Sequence, residues 1–318
     1  MSSIADYHQR TKHSMASVRA NRHALDWANQ PLPFKIYEGV PAVALPRDVA
    51  APAGGQGATP DLRQLARLLH FSAGIMRRKP YPGGMMYFRA AACTGALYHI
   101  DLYLVCGELP GLEAGVYHFG PHDAALHRLR RGDFRAALVE ASGGEPALAA
   151  APAVLVCTST FWRNAWKYQA RTYRHCFWDN GTLLANLLAV AAADGVPARV
   201  VVGFVDAAVN ALLDLDTERE VALSLVALGS GAAPATPAPP SSPLGLATKP
   251  LSPHEVDYPP IRAAHAATAL ADAEAVRDWR RRAQAMRRVA HPAGGERLAL
   301  LPSSAAPTAP LDEVIRKR

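Results

Sequence analysis

Four short segments bring together residue types that can handle an anion, a flat ring or a proton. Arg10-Thr11-Lys12-His13-Ser14 packs two permanent cations, a histidine and two hydroxyls into five positions. Hydroxyls and backbone N–H groups can position a phosphate that Arg10 and Lys12 neutralise. A solvated basic segment would look the same. Arg89 to Tyr103 reads RAAACTGALYHIDLY. Its small residues from Ala90 to Ala96 let the backbone approach a flat ligand, and Thr94-Gly95 offers N–H donors ahead of a strand. A tight junction packed for its own sake would need the same residues. Trp166 to Arg174, WKYQARTYR, sets Lys167 beside Tyr168, about 100° apart around a helix. An ammonium near a phenol stabilises the phenolate and lowers its pKa from about 10. Tyr168 would then accept a proton with Lys167 as the tuning charge; the plainer reading is a packed tyrosine and a solvated lysine. Val202-Gly203-Phe204 ends a strand, where a glycine lets N–H groups face a heteroaromatic edge.

The elements that must position these segments are legible from periodicity. Asp61 to Ile75 spaces its leucines as a helix does. Ile100 to Val105, Gly115 to Phe119, Ala151 to Thr158, Ala198 to Val205 and Glu220 to Leu228 read as strands. Phe161 to Arg174 and Phe177 to Ala193 read as helices, the second carrying Asp179 as its only charge and stopped by Gly195 and Pro197. Asp206 to Leu213 reads as a short helix. The expected class is α+β, one mixed sheet wrapped by helices, over residues 1–229.

Composition bounds the possibilities. The chain has 318 residues, half of them apolar and 19% charged, which excludes a wholly disordered chain and a small disulfide scaffold. Lys and Arg total 34 against 27 Asp and Glu, a formal charge of +7 that suits anionic small molecules. Cys93, Cys106, Cys157 and Cys176 form no C-x-x-C pair, so reduced thiols in a cytoplasmic protein are expected, and no metal site. Met1 to Ser14 has no apolar core of a secretory signal. The uncharged run between Asp179 and Asp194 is too short for a bilayer, so no membrane segment is expected.

Residues 230–253 are a Pro/Ala/Ser-rich stretch, expected to be an extended, mobile linker. In 254–318 a loop leads to an Ala- and Arg-rich helix over Ile261 to Val289, then a loop over Pro292 to Pro310 and a helix opening at LDEVIRKR. The basic stretch Arg280, Arg281, Arg282, Arg287 and Arg288 reads as a solvated face. It lacks the interleaved aromatics that stack bases, so nucleic acid is not an expected partner.

The order of the motifs adds what none of them carries alone. A basic N-terminal cluster, then R-x(4)-T-G-A-L-Y-x-I-D-L-Y, G-V-Y-H-F, K-Y-x-x-R-x-Y-R, a long apolar helix and V-G-F-x-D resembles the nitroreductase superfamily, and within it the SagB-type dehydrogenase branch. The resemblance covers roughly Tyr7 to Gly229. It implies an FMN flavoprotein with the cofactor at a dimer interface. By motif position, Arg10, Lys12 and Ser14 correspond to the phosphate end. Cys93, Thr94 and Gly95 correspond to the segment beside the isoalloxazine, and Gly203 and Phe204 to the loop facing its reactive edge. Lys167 and Tyr168 correspond to the catalytic pair of enzymes that oxidise peptide azolines to azoles. The implied substrate is a small molecule or modified peptide. The implied assembly is a homodimer, or a heterodimer with a second nitroreductase-like half. LDEVIRKR resembles the opening of a second repeat, which makes 254–318 a connector and the start of a truncated repeat. The family's usual Pro-Ser-Gly-Gly is replaced here by Ala92-Cys93-Thr94-Gly95. Two other readings stand beside the dehydrogenase: an NAD(P)H-dependent nitro or quinone reductase, and a non-catalytic subunit that completes another protomer.

Overall fold

Apolar runs long enough to be covered on both sides become the middle of one sheet. The computed structural model describes residues 4–49, 58–82, 84–286 and 309–317. Its strands are β1 (Ala42–Ala44), the hairpin β2 (Ile75–Tyr81) and β3 (Gly84–Arg89), then β4 (Ile100–Cys106), β5 (Gly115–Gly120), β6 (Ala125–Arg131), β7 (Ala153–Thr160), β8 (Ala198–Val201) and β9 (Glu220–Leu228). Seven share a sheet in the order β1-β6-β5-β4-β7-β9-β8, with antiparallel ladders throughout, and β2–β3 pair separately.

Every residue of β4, β7 and β9 is buried. The two-residue period divides them between two cores. Ile100, Leu102 and Leu104 join one core, and Tyr103 and Val105 join the other.

The helices are α1 (Ile4–Thr11), α2 (Met15–Ala20), α3 (Leu62–Ala73), α4 (Arg135–Ala141), α5 (Pro146–Ala149), α6 (Phe161–Tyr168), α7 (Thr172–Ala193), α8 (Asp206–Leu212), α9 (Pro259–Thr268), α10 (Ala273–Met286) and α11 (Leu311–Lys317). α3 starts on a capping box. Asp61 accepts from the Gln64 N–H at 2.7 Å, and the Gln64 side chain accepts from the Asp61 N–H at 3.0 Å. α3 and α7 cover the first core; α4 and α8 cover the second. No helix among the described residues is long and apolar enough to cross a membrane.

Three boundaries differ from the sequence expectation. The break between the two central helices lies at Gln169, in the left-handed region at φ 52°, so Thr172 to Cys176 belong to α7. β8 ends at Val201, because the chain leaves the sheet at the exposed Val202. The helix expected over Ile261 to Val289 is interrupted between α9 and α10, where the Leu270 N–H bonds the Asp206 carboxylate at 2.8 Å. Arg287, Arg288 and residues 292–308 of the expected loop lie outside the described residues.

Residues 230–253 form no helix or named strand, and hydrogen bonds tie them to the rest of the chain. Lys249 N–H bonds the Ile36 carbonyl at 2.9 Å, Glu38 N–H the Ala247 carbonyl at 2.9 Å, and Leu32 N–H the Leu251 carbonyl at 2.8 Å. The Trp162 indole donates to Ser252 Oγ at 2.8 Å. Prolines prevent a helix or a central strand, yet the strap still docks through the Ala247 and Leu251 carbonyls and the Lys249 N–H.

Candidate active site

The carboxylate of Asp179, on the second turn of α7, holds the segment that enters β4. It accepts from the Thr94 N–H at 3.0 Å, the Thr94 hydroxyl at 2.8 Å and the Cys93 thiol at 3.1 Å. His99 Nε2 stands 2.8 Å from the same carboxylate, and His99 Nδ1 stands 2.8 Å from Ser159 Oγ on β7. Burial would push the Asp179 carboxyl up, but hydrogen bonds from His99, Thr94 and Cys93 hold it below the usual range. Burial, then the Asp179 charge, pushes the Cys93 thiol up. Cys93 is therefore a protonated donor here, not a nucleophile.

The main chain this network holds is unusual. Gly95, Ala96 and Tyr98 all lie at positive φ, at 67°, 55° and 49°. Such conformations cost energy at non-glycine residues and collect at functional sites. A Cβ on Gly95 would stand 2.8 Å from Tyr168 Oη, so the turn lies directly against the phenol of α6. Lys167 Nζ is 5.5 Å from the Tyr168 ring centroid, and the His175 ring meets that phenol edge-on at 4.7 Å. His175 Nδ1 is 2.8 Å from Asn164 Oδ1. Burial, followed by the Arg171 charge, lowers the His175 pKa to about 4, so it is neutral at neutral pH.

Two expectations about this cluster are corrected. Tyr168 is not lowered by Lys167: burial, then Asp179 and Cys93, push its pKa up. The Thr94 N–H is not a free donor either, because Asp179 already occupies it.

The N-terminal segment docks on the junction between α6 and α7. The Tyr7 hydroxyl donates to the Ala170 carbonyl at 2.7 Å. Arg171 bonds the Thr11 carbonyl, and Arg174 Nη2 donates to the His8 carbonyl at 3.0 Å and to Thr11 Oγ1 at 3.1 Å. Arg10, Lys12 and Ser14 are exposed. The Ser14 hydroxyl caps α2, accepting from the Ser17 N–H at 3.0 Å. Arg171 and Arg174 thus add two cations to Arg10 and Lys12, and each keeps a buried Nε without a partner. Those unmet donors fit an anionic end group such as a phosphate.

Gly203 and Phe204 do not reach this cluster. β8 has already ended, and a Cβ on Gly203 would stand 2.7 Å from the Trp279 ring of α10. Phe204 is buried in the core on the other face of the sheet from Tyr168. Asp179, His99 and Ser159 were not among the expected site residues. The available signal was Asp179 itself, a lone charge in an apolar helix, which must find partners if buried. Beyond Cys93 opens a basic groove of about 410 Å³, lined by Arg77, Arg89, Tyr98, Arg316 and Lys317.

An antiparallel sheet covered by helices on both faces, with an Asp179-braced turn against Tyr168, defines an α+β protein with a candidate reaction centre where the central strands β4 and β7 end. The chain belongs to the nitroreductase family, whose profile matches residues 62–230. It is 30% identical over 154 residues to the microcin B17-processing protein McbC of Escherichia coli, covering 47% of this chain and 53% of that one. It is 24% identical over 168 residues to the nitroreductase-assigned protein MJ1384 of Methanocaldococcus jannaschii, covering 53% of this chain and 80% of that one. A solved structure of a nitroreductase-assigned protein from Anabaena variabilis superposes with a TM-score of 0.68 at 32% identity, covering 85% of this chain and 55% of that one. The chain therefore spans about half the length of McbC and of the Anabaena protein.

Proposed function

We propose that this chain is an FMN-dependent oxidoreductase of the SagB type, dehydrogenating a peptide azoline or a related natural-product intermediate. The observation that carries the reading is the convergence of three expected segments: the Cys93-Thr94-Gly95 turn, the Lys167–Tyr168 pair and the basic N-terminal segment meet along α6 and the start of α7. The identity to a microcin-processing protein supports a peptide-derived substrate.

FMN, when bound, would supply the hydride acceptor. Arg10 and Lys12, with Arg171 and Arg174, would neutralise its phosphate; Gly95, lacking a side chain, would leave the turn flat beside Tyr168. Tyr168 is a neutral phenol in this chain and holds its proton. To act as a base it must ionise beside the Lys167 ammonium.

The exposed face of α7 supports a two-chain assembly. Phe177 and Trp178 are 47% and 51% exposed, and nothing lies within 4 Å of a Cβ built on Gly181. Ala185, Ala189 and Ala192 continue that face outward. An apolar helix face of this length is a surface for a partner chain.

A second reading, a non-catalytic partner subunit, is favoured by two observations. Thr94 is already saturated by Asp179, and Trp279 covers Gly203. The visible spectrum of freshly purified protein, with and without added FMN, separates the readings. A flavin spectrum released by denaturation supports the enzyme, and Tyr168→Phe must then lose turnover with flavin retained. No flavin after reconstitution overturns it in favour of the subunit. Turnover only with NAD(P)H and a nitro or quinone acceptor would instead make it a reductase.

A further inference from the structure

Among the described residues two clusters gather three metal-ligating side chains. One is Cys93, His99 and Asp179, the hydrogen-bonded brace of the candidate active site. The other, His122, Asp123 and His127, lies at the β5–β6 turn and has no part in the chemistry above. We propose that His122, Asp123 and His127 form a binding site for a divalent transition ion of the Zn²⁺ class.

The geometry carries the proposal. His127 Nε2 lies 3.0 Å from Asp123 Oδ2, and His122 Nε2 lies 3.6 Å from the same oxygen. Tetrahedral bonds of about 2.0–2.1 Å separate neighbouring ligand atoms by about 3.3 Å, so the two spacings bracket what the ion needs. All three ligand atoms lie within 4.8 Å of one another. The two imidazoles stand nearly parallel, 14° apart, with centroids 5.9 Å apart, and Phe34 stacks on the outer face of His122 at 5.3 Å.

The backbone leaves room for this arrangement. A Cβ on Gly120 would stand 2.5 Å from Asp123 Oδ1 and 2.7 Å from His127 Nε2. Two imidazoles and one carboxylate are a ligand set for zinc-like ions, since calcium and magnesium prefer oxygen alone. Three protein ligands leave a position open, and a cavity of about 270 Å³ beside His122 and Asp123 gives it access to water. His122 Nδ1 and His127 Nδ1 have no protein partner. Hydrogen bonds to those atoms usually raise affinity about 10–100-fold, so this site binds exchangeably rather than permanently.

The test uses untagged, chelator-dialysed full chain and Zn²⁺ alone, followed by equilibrium dialysis, with Co²⁺ as a spectroscopic substitute. One ion per chain is expected, weakened at least tenfold in His127→Ala and Asp123→Asn, and unchanged in Cys93→Ser. Gly120→Ala keeps all three ligands and displaces two, so it too must weaken binding; its thermal unfolding shows that the fold persists. Bound Co²⁺ should show no thiolate charge-transfer band. Absence of binding, binding indifferent to His127→Ala and Gly120→Ala, or loss in Cys93→Ser with a thiolate band would each overturn the proposal.

Discussion

The Asp179 carboxylate accepts both the N–H and the hydroxyl of Thr94, a residue 85 positions away. The turn before β4 is thereby clamped to α7, and the clamp depends on ionisation. Because the folded carboxyl sits below its ordinary value, its contribution is full above about pH 3.9 and is lost as pH falls through the folded pKa. Asp179→Asn should cost about 3 kcal/mol near neutral pH, by leaving buried donors poorly met. It should also flatten the acid limb of the stability curve. Denaturant unfolding of both proteins across a pH series would measure this, and equal acid limbs would count against the clamp.

Gly95 answers two demands at once. Its φ of 67° costs an L-residue about 1–2 kcal/mol, and its missing side chain admits the Tyr168 hydroxyl. Gly95→Ala should therefore destabilise by more than the backbone strain alone. Part of that loss should return in the double variant with Tyr168→Phe, giving a coupling of about 0.5 kcal/mol or more. Additive losses in the double-mutant cycle would show that the two residues do not touch.

How far this site was legible follows from where its information sits. The leucine spacing of Asp61 to Ile75 and the apolar run from Glu220 to Leu228 made α3 and β9 readable, because periodicity is local. The β2–β3 hairpin was not readable. Arg77, Arg78, Lys79 and Pro80 face solvent and show no alternation, so only their pairing with β3 reveals the strand. Arg171 and Arg174 stood in plain view within WKYQARTYR, but their proximity to Arg10 and Lys12 comes from the docking of α1. Gly203 was misplaced because its cover, Trp279, comes from a helix distant in sequence.

Arg163 is wholly buried on α6. It donates to the Tyr98 carbonyl at 2.8 Å and to Asp101 at 3.1 Å, with a second guanidinium nitrogen on the same carboxylate. Burial alone would raise the Asp101 carboxyl, but Arg163 holds it well below the usual range. Arg163→Met strands that charge and should cost about 3–5 kcal/mol. Adding Asp101→Asn removes the stranded charge, so the double variant should be more stable than Arg163→Met. Calorimetric unfolding of the three variants would decide it; a double variant at or below the single would refute the pairing.

His175 gives the protein a second, milder acid response. Its folded pKa of about 4 lies under the unfolded value near 6.5, so the unfolded chain takes up the proton first. Stability should decline as pH falls from about 6.5 towards 4, and His175→Phe should remove its share of that slope. The rest comes from other histidines that burial lowers in the same direction, such as His70, His99 and His118. NMR titration of the imidazole reads the same property directly. A midpoint at or above 6.5 would show that burial and Arg171 do not govern it.

The strap formed by residues 230–253 also imposes an order on synthesis. Leu32, Ile36 and Glu38 leave the ribosome early, yet their backbone partners Leu251, Lys249 and Ala247 are made only after β9. At about 5–20 residues per second that wait is on the order of ten seconds or more. Every strand of the sheet is made before residues 247–251, so the backbone bonds of residues 32–38 to them form only once all the strands are available.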